Sequence, residues 1–241
     1  FDALPAESRT WVNRHLVYTH GFGLAMSPVS ETTADGLPRF YIQDIPPTSS
    51  VGIEVTQPRI YYGEATTSYA IVNSGTRELD YPSGNENVYT RYEGDGGVEL
   101  SSTTRKLIYA LKFGDPQIFL SDSVTDDSRI QFDRDIQTRA PKIAPFLEYD
   151  RDPYVVTSNG RLYWIYDAYT TTGNYPYSDR ISFKGSQANY VRNSVKVVID
   201  AYSGETTYYA AEPDDPVIQT WRNAFPDLFV DIDRLPGHLE E

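Results

Sequence analysis

The sequence predicts an α+β fold of mostly antiparallel β hairpins with a central helical segment and a C-terminal helix. Three observations carry this. In "PYVVTSNGRLYWIYDAY" two β-rich runs meet at Asn159-Gly160, the dipeptide favoured in a type I′ hairpin turn. "NSVKVVIDAYSGETTYYAAE" repeats the pattern and turns at Ser203-Gly204. Between residues 99 and 152, apolar residues recur at helical rather than alternating spacing.

Taken in order, Glu7 to Thr19 reads as an amphipathic helix with Trp11, His15 and Tyr18 on one stripe, and Gly21 reads as its left-handed cap. "RFYIQDIPP" is a short strand ended by a proline pair. "RIYYGE", "SYAIVN" and "RELDYP" are further strands, and "SGNENVYTRYEGDGGVE" is a long polar connection. Leu100, Thr104, Leu107, Ile108 and Leu111 form a core-facing helical stripe stopped by Gly114 and Pro116. A second helix carries Phe132, Ile136, Ala140, Ile143 and Leu147, with Pro141 inside it. In the first late hairpin, Trp164 and Tyr166 face one side of the strand, Tyr163 and Ile165 the other. The last helix opens with Asp215 as N-cap and Pro216 at its first turn, and Pro226 ends it. We read a single α+β domain over 1–241, with a β-dominated part (1–98), a helical part (99–152) and a part of hairpins plus the C-terminal helix (153–241).

Composition restricts the function. At 39% hydrophobic and 23% charged, the 241 residues describe a globular chain. Its longest apolar runs fall far short of the about 18 residues of a membrane span, so it reads as a soluble segment. The net charge of −13 repels phosphate backbones and argues against nucleic acid as a partner. Arg129, Arg134 and Arg139 are interleaved with Asp133 and Asp135 and read as a solvated, ion-paired helix face. With no cysteine, the chain has no disulfide, thiolate metal site or cysteine nucleophile. Twenty tyrosines against ten phenylalanines mark an acidic, tyrosine-rich chain.

Chemistry-bearing patterns are sparse. His15 and His20 are five apart and cannot grip one ion from a shared helix face, so His15 reads as a hydrogen-bonded, partly buried side chain and His20 as a helix-end residue. His238 falls in a tail. No Gly-x-Ser-x-Gly elbow or phosphate-binding loop occurs. No catalytic residue is assigned and no cofactor is expected. Glu93 and Asp95 in "EGDGGVE" are the only metal candidates, against the plainer reading of a solvated glycine turn. The aromatic cluster "YWIYDAYTTTGNYPYS" supplies the ligand-binding candidates Asp167, Tyr169, Tyr175 and Tyr177, against the plainer reading of core and cross-strand packing. Asp167, in the "IYDAY" echoed at "VIDAY", is expected to hydrogen-bond its own turn.

Several collinear blocks, among them "WVNRHLVYTHGFG", "GLPRFYIQDIPP", "DYPSGNENVYTRYEGDGG", "RKLIYALKFGD", "APFLEYDRDPYVV" and "PDDPVIQTW", resemble uncharacterised protein family 0182 from about Leu4 to Leu235. Phe22 stands where the resemblance leads us to expect Tyr. These are large bacterial membrane proteins, so the resemblance implies that this chain is an extracytoplasmic soluble segment of a longer protein in the cell membrane. The membrane domain of that parent is then a partner, and cell-envelope glycan or peptide a further one. The family brings no established activity. The expected function is a non-enzymatic binding or structural module. The alternatives are an envelope glycan hydrolase using an Asp/Glu pair with Asp167 the best-placed carboxylate, and an oligomerisation domain.

Overall fold

The structure is a computed structural model that describes residues 5–236 and 239; His238 lies outside them. The chain divides into two compact units: Phe1–Asp135 with Ala201–Gly204, and Ile136–Asp200 with Glu205–Glu241. Strands are mostly antiparallel and helices few, as an α+β fold requires. Among the described residues no helix is long and apolar enough to cross a membrane.

Unit 1 is built from short strands. β1 (Gly21–Phe22) pairs antiparallel with β4 (Arg59–Ile60). Between them lies the two-residue pair β2 (Ile42–Gln43) and β3 (Thr48–Ser49). β5 (Ala70–Val72) and β8 (Val98–Glu99) flank β9 (Arg129–Gln131). β6 (Glu78–Ser83) forms a hairpin with β7 (Glu86–Thr90), turning through left-handed Gly84. That hairpin lies partly inside what the sequence reads as polar connection, because its solvent-facing residues hide the alternation. The first predicted helix is replaced by a 3-10 turn (Ala6–Ser8) and a turn of π-helix (Asn13–Val17) that ends at Tyr18. Gly21 is in a strand, and the left-handed glycine is Gly23 at φ 107°. The π turn is set by tertiary anchors: Trp11 Nε1 donates to Tyr69 Oη (3.0 Å) and Asp115 Oδ2 (2.8 Å).

α1 (Thr103–Phe113) starts at its Ser102 cap and stops at left-handed Gly114, followed by α2 (Gln117–Leu120). Its buried face differs from the expected stripe. Leu107, Ile108 and Leu111 are 46%, 55% and 74% exposed, while Ala110 is buried and Tyr109 and Phe113 pack on the core of Leu16, Ile71, Leu100, Ile118, Val124 and Ile130. The aromatic contacts of Tyr109 and Phe113 with Phe132 turn the helix onto its bulkier side.

Unit 2 is a sheet in the order β10-β12-β15-β16-β17, with β11 also paired to β12. These are β10 (Glu148–Tyr149), β11 (Tyr154–Ser158), β12 (Arg161–Thr172), β15 (Tyr190–Asp200), β16 (Thr206–Ala210) and β17 (Phe229–Asp231). A separate hairpin joins β13 (Ile181–Phe183) and β14 (Ser186–Ala188). β11 and β12 turn at Asn159 and Gly160, both at positive φ, as a type I′ turn demands. β17 runs parallel to β16, joined through α4 (Pro216–Ala224). One sheet face carries Tyr166, Val195, Val197, Ile199 and Tyr208 against Ile218 of α4 and Ala140 of α3 (Ile136–Ile143). Trp164 and Tyr166 share that face, while Tyr163 and Ile165 lie on the other, as their alternation dictates. Pro141 sits inside α3 as read, and Ile143 is exposed rather than core-facing.

Asp215 caps α4 through Val217 N–H and Ile218 N–H (3.2 Å each) and accepts from Thr170 (2.6 Å), Ser194 (2.7 Å) and Tyr190 (2.5 Å). Replacing Asp215 by Ala removes the acceptor shared by the buried Thr170 and Ser194 hydroxyls as well as the cap. Chemical denaturation should register a loss of roughly 2–4 kcal/mol, with Asp215→Asn losing less.

Candidate functional site

The densest polar cluster is in unit 1 and starts from β6. Residues two apart on a strand share a face, so Glu78 and Asp80 point the same way, into the protein. The β6–β7 register slips between Leu79 and Tyr81, leaving Asp80 as the bulged residue of the hairpin. The β1–β4 pairing then brings His20, preceding β1, and Arg59 of β4 to these carboxylates. Arg59 makes a bidentate contact with Asp80, Nε at 2.6 Å and Nη2 at 2.7 Å. Glu78 accepts from Thr19 Oγ1 (2.6 Å), Tyr61 Oη (2.8 Å) and Tyr92 N–H (3.0 Å). His20 bridges the two acids: Nε2 lies 3.2 Å from Asp80 Oδ1, and Nδ1 2.9 Å from Thr19 Oγ1 and 3.7 Å from Glu78 Oε2. Since the Thr19 proton goes to Glu78, both His20 ring nitrogens face acceptor oxygens.

Electrostatics follow from this wiring. Burial by itself would raise Glu78, but the nearby His20 and hydrogen bonds from Thr19 and Tyr61 outweigh it and hold the carboxyl below its ordinary value. Asp80 is likewise lowered, burial being outweighed by His20 and Arg59. Burial, and then the charge of Glu78, pushes the Tyr61 hydroxyl up, which keeps it a donor. His15 is a separate case. It donates Nδ1–H to the Tyr69 carbonyl (2.8 Å), stacks on the Tyr69 ring, and burial lowers its pKa.

Thr19, His20 and Asp80 make a hydroxyl–imidazole–carboxylate series, but Thr19 is 0% exposed and its proton is committed to Glu78. That is the geometry of a structural bridge rather than a nucleophile. Beside it opens a cavity of about 480 Å³, with exposed Arg14, Ala65 and Thr67 at its rim and Thr19, Ser68 and Arg134 deeper in. Arg134 corrects the solvated-face reading. It is buried, and its guanidinium donates to the carbonyls of Tyr61 (2.7 Å), Ser68 (3.1 Å) and Thr19. Burial pushes it down to about 10.

The other sequence candidates lie apart from this cluster. Asp167 does not cap a turn; it sits mid-strand, ion-paired to Lys196 across β12 and β15. Tyr169 donates to Asp150 (3.3 Å) and meets Phe183 edge-on. Tyr175 stacks on Tyr190 at 4.7 Å, and Tyr177 is fully exposed at φ 59°. Contacts thus hold Asp167, Tyr169 and Tyr175 with different neighbours. Glu93 and Asp95 are exposed, and the loop carbonyls of Asp95, Gly96 and Gly97 are taken by the Arg129 guanidinium. Among the described residues no group of three or more His, Asp or Glu could hold a metal ion. Sequence reasoning missed Glu78, Asp80 and Arg134. The single available signal was the acidic pair at spacing two in "RELDYP", one of many such pairs among 34 acidic residues.

These features define an α+β protein whose first unit is organised by a largely buried carboxylate–imidazole–guanidinium hub with a polar cavity beside it. The profile of the uncharacterised protein family UPF0182 matches residues 1–241, and the chain belongs to that family. A UPF0182 protein of Methanospirillum hungatei is 52% identical over 240 residues, covering 98% of this chain and 27% of that protein. One of Pelotomaculum thermopropionicum is 50% identical over 238 residues, covering 99% and 26%. One of Desulforamulus reducens is 46% identical over 241 residues, covering 100% and 26%. The chain therefore spans about a quarter of the length of these relatives. No solved structure matches it.

Glu78→Ala removes the acceptor of three donors and should cost about 3–5 kcal/mol in denaturant unfolding. The pH dependence has a defined sign. His15, Glu78 and Asp80 all have folded pKa values below their unfolded ones, so each contributes stability that is complete above its unfolded pKa and is lost as pH falls. Thermal unfolding across pH should show a first decline below about 6.5, absent in His15→Gln, and a second below about 4.

Proposed function

We propose that this chain is a binding module, with the unit 1 cavity as its ligand site and the hub behind it as rigid support. The observation that carries the reading is the cavity itself. Its volume of about 480 Å³ falls within the range of small-molecule sites, and its wall combines threonine and serine side chains with guanidinium groups. The resemblance to large membrane proteins supports placing the module on the extracytoplasmic side of a longer chain, whose membrane domain is then its first partner. Cell-envelope glycan or peptide fragments are the ligands to screen.

Glycan hydrolysis is the weaker reading. A glycosidase needs one carboxyl kept protonated at working pH beside one ionised. Among the described residues, the four carboxylates with a resolved displacement (Glu78, Asp80, Asp115 and Asp215) are displaced downward. Asp167 is engaged by Lys196.

A thermal-shift screen against glycan fragments, peptides and small metabolites tests the proposal. A ligand at 100 times its dissociation constant adds about 2.7 kcal/mol of stability, and Thr67→Trp at the cavity rim should abolish the shift. Release of reducing ends from envelope glycan, lost in Asp167→Asn, would instead establish the hydrolase.

A further inference from the structure

Arg134 is the most unusual charge in unit 1. Buried cations in proteins are ordinarily matched by a carboxylate, because desolvating a lone charge is costly. The half-buried cation of the hub is matched in this way: Arg59 grips Asp80 with two hydrogen bonds. Arg134 instead meets only carbonyl oxygens, those of Tyr61, Ser68 and Thr19, and among the described residues no carboxylate oxygen lies within ion-pair distance of it. These bonds use three of the five guanidinium N–H groups. Glu78 contributes long-range attraction, but its oxygens are spent on Thr19, Tyr61 and Tyr92.

The same Arg134 lines the cavity, and the other formal charge on its wall, Arg14, has the same sign. Of the ten lining residues, Arg14, Arg134 and His20 are basic or protonatable and none is acidic. In a chain of net charge −13 such a wall is not a sample of the average surface. Thr66 is already committed, its hydroxyl donating to the carbonyls of Gly63 and Arg134 (2.8 and 2.9 Å), so it shapes the wall. Thr67 is exposed at the rim.

We propose that the unit 1 cavity is an oxyanion site, taking a small ligand through a carboxylate or phosphate group, with Arg134 as the buried countercharge and Arg14 as the cation at the entrance. This rests on the binding-module reading and adds the chemical class. Arg134 is itself buried, and its attraction for an anion in the cavity strengthens as bound ligand displaces water from between them. Burial depresses the Arg134 pKa to about 10, in line with a charge its own protein leaves uncompensated.

The test uses inorganic phosphate and succinate as probes on the 241-residue chain, with sodium chloride matching ionic strength throughout. Melting temperature and amide chemical shifts of Ala65 to Ser68 are followed together. One or both anions should raise the melting temperature saturably and move those amides. Thr67→Glu, which sets a fixed negative charge at the rim without touching the hub, should weaken the response about tenfold or more, while neutral Thr67→Gln keeps it. No saturable response to either anion, or an equal response in Thr67→Glu, overturns the proposal. If those amides instead respond to a neutral oligosaccharide alone, the anion class fails and the binding module stands. If they respond to nothing in the screen, both fail.

Discussion

Unit 1 depends on the need to satisfy one buried carboxylate. Glu78 is 1% exposed, and an ionised group so placed is tolerable only when its lone pairs are filled by donors. Those donors come from three other places in the chain: Thr19 before β1, Tyr61 after β4 and Tyr92 after β7. Asp80, two residues on, ties in Arg59 and His20. Hydrogen bonds to charged groups are about twice as strong as neutral ones, so a few can fix segments whose strands are only two residues long. Unit 1 is held by side-chain wiring as much as by backbone ladders.

The turn Ala201–Gly204 is held in unit 1 by the same kind of wiring. Tyr61 and Tyr62 donate their backbone N–H groups to the Ala201 carbonyl (2.8 and 2.9 Å), and Tyr92, Tyr202 and Tyr61 pack ring against ring. Gly204 has positive φ, and a Cβ there would meet the Tyr62 ring at 2.5 Å, so glycine is required for both backbone and space. The tyrosine excess of the composition finds its use here: the ring fills the core and the hydroxyl satisfies buried polar groups.

Unit 2 follows simpler rules, and the sequence shows them. Alternation along "RLYWIYDAYTTT" assigns Tyr166 and Ile165 to opposite faces, Asn159-Gly160 sets its hairpin, and Asp215-Pro216 starts α4. These signals are local, since partners lie within one hairpin or one helical turn. α1 fails differently. Its stripe at Leu107, Ile108 and Leu111 is a true amphipathic pattern, but the helix buries Ala110 and lets Tyr109 and Phe113 pack, because Phe132 and the core of Leu16 and Ile130 offer more contact to the aromatic side. Periodicity states that a helix has an apolar face; it cannot state which of two apolar faces finds a partner.

The sequence by itself determined the α+β class, the late hairpins with their turns and faces, the C-terminal stop of α1, the N-cap of α4, and the family. All of these are written in contiguous residues or in collinear blocks. Only the tertiary structure decided that Glu78, Asp80, His20, Arg59 and Thr19 form one hub, and that Arg134 is a buried cation on a cavity wall rather than a solvated one. The reason is physical. Charged residues carry no periodic mark of burial, and whether a carboxylate is a surface group or a keystone depends on donors up to 60 residues away that folding alone brings to it.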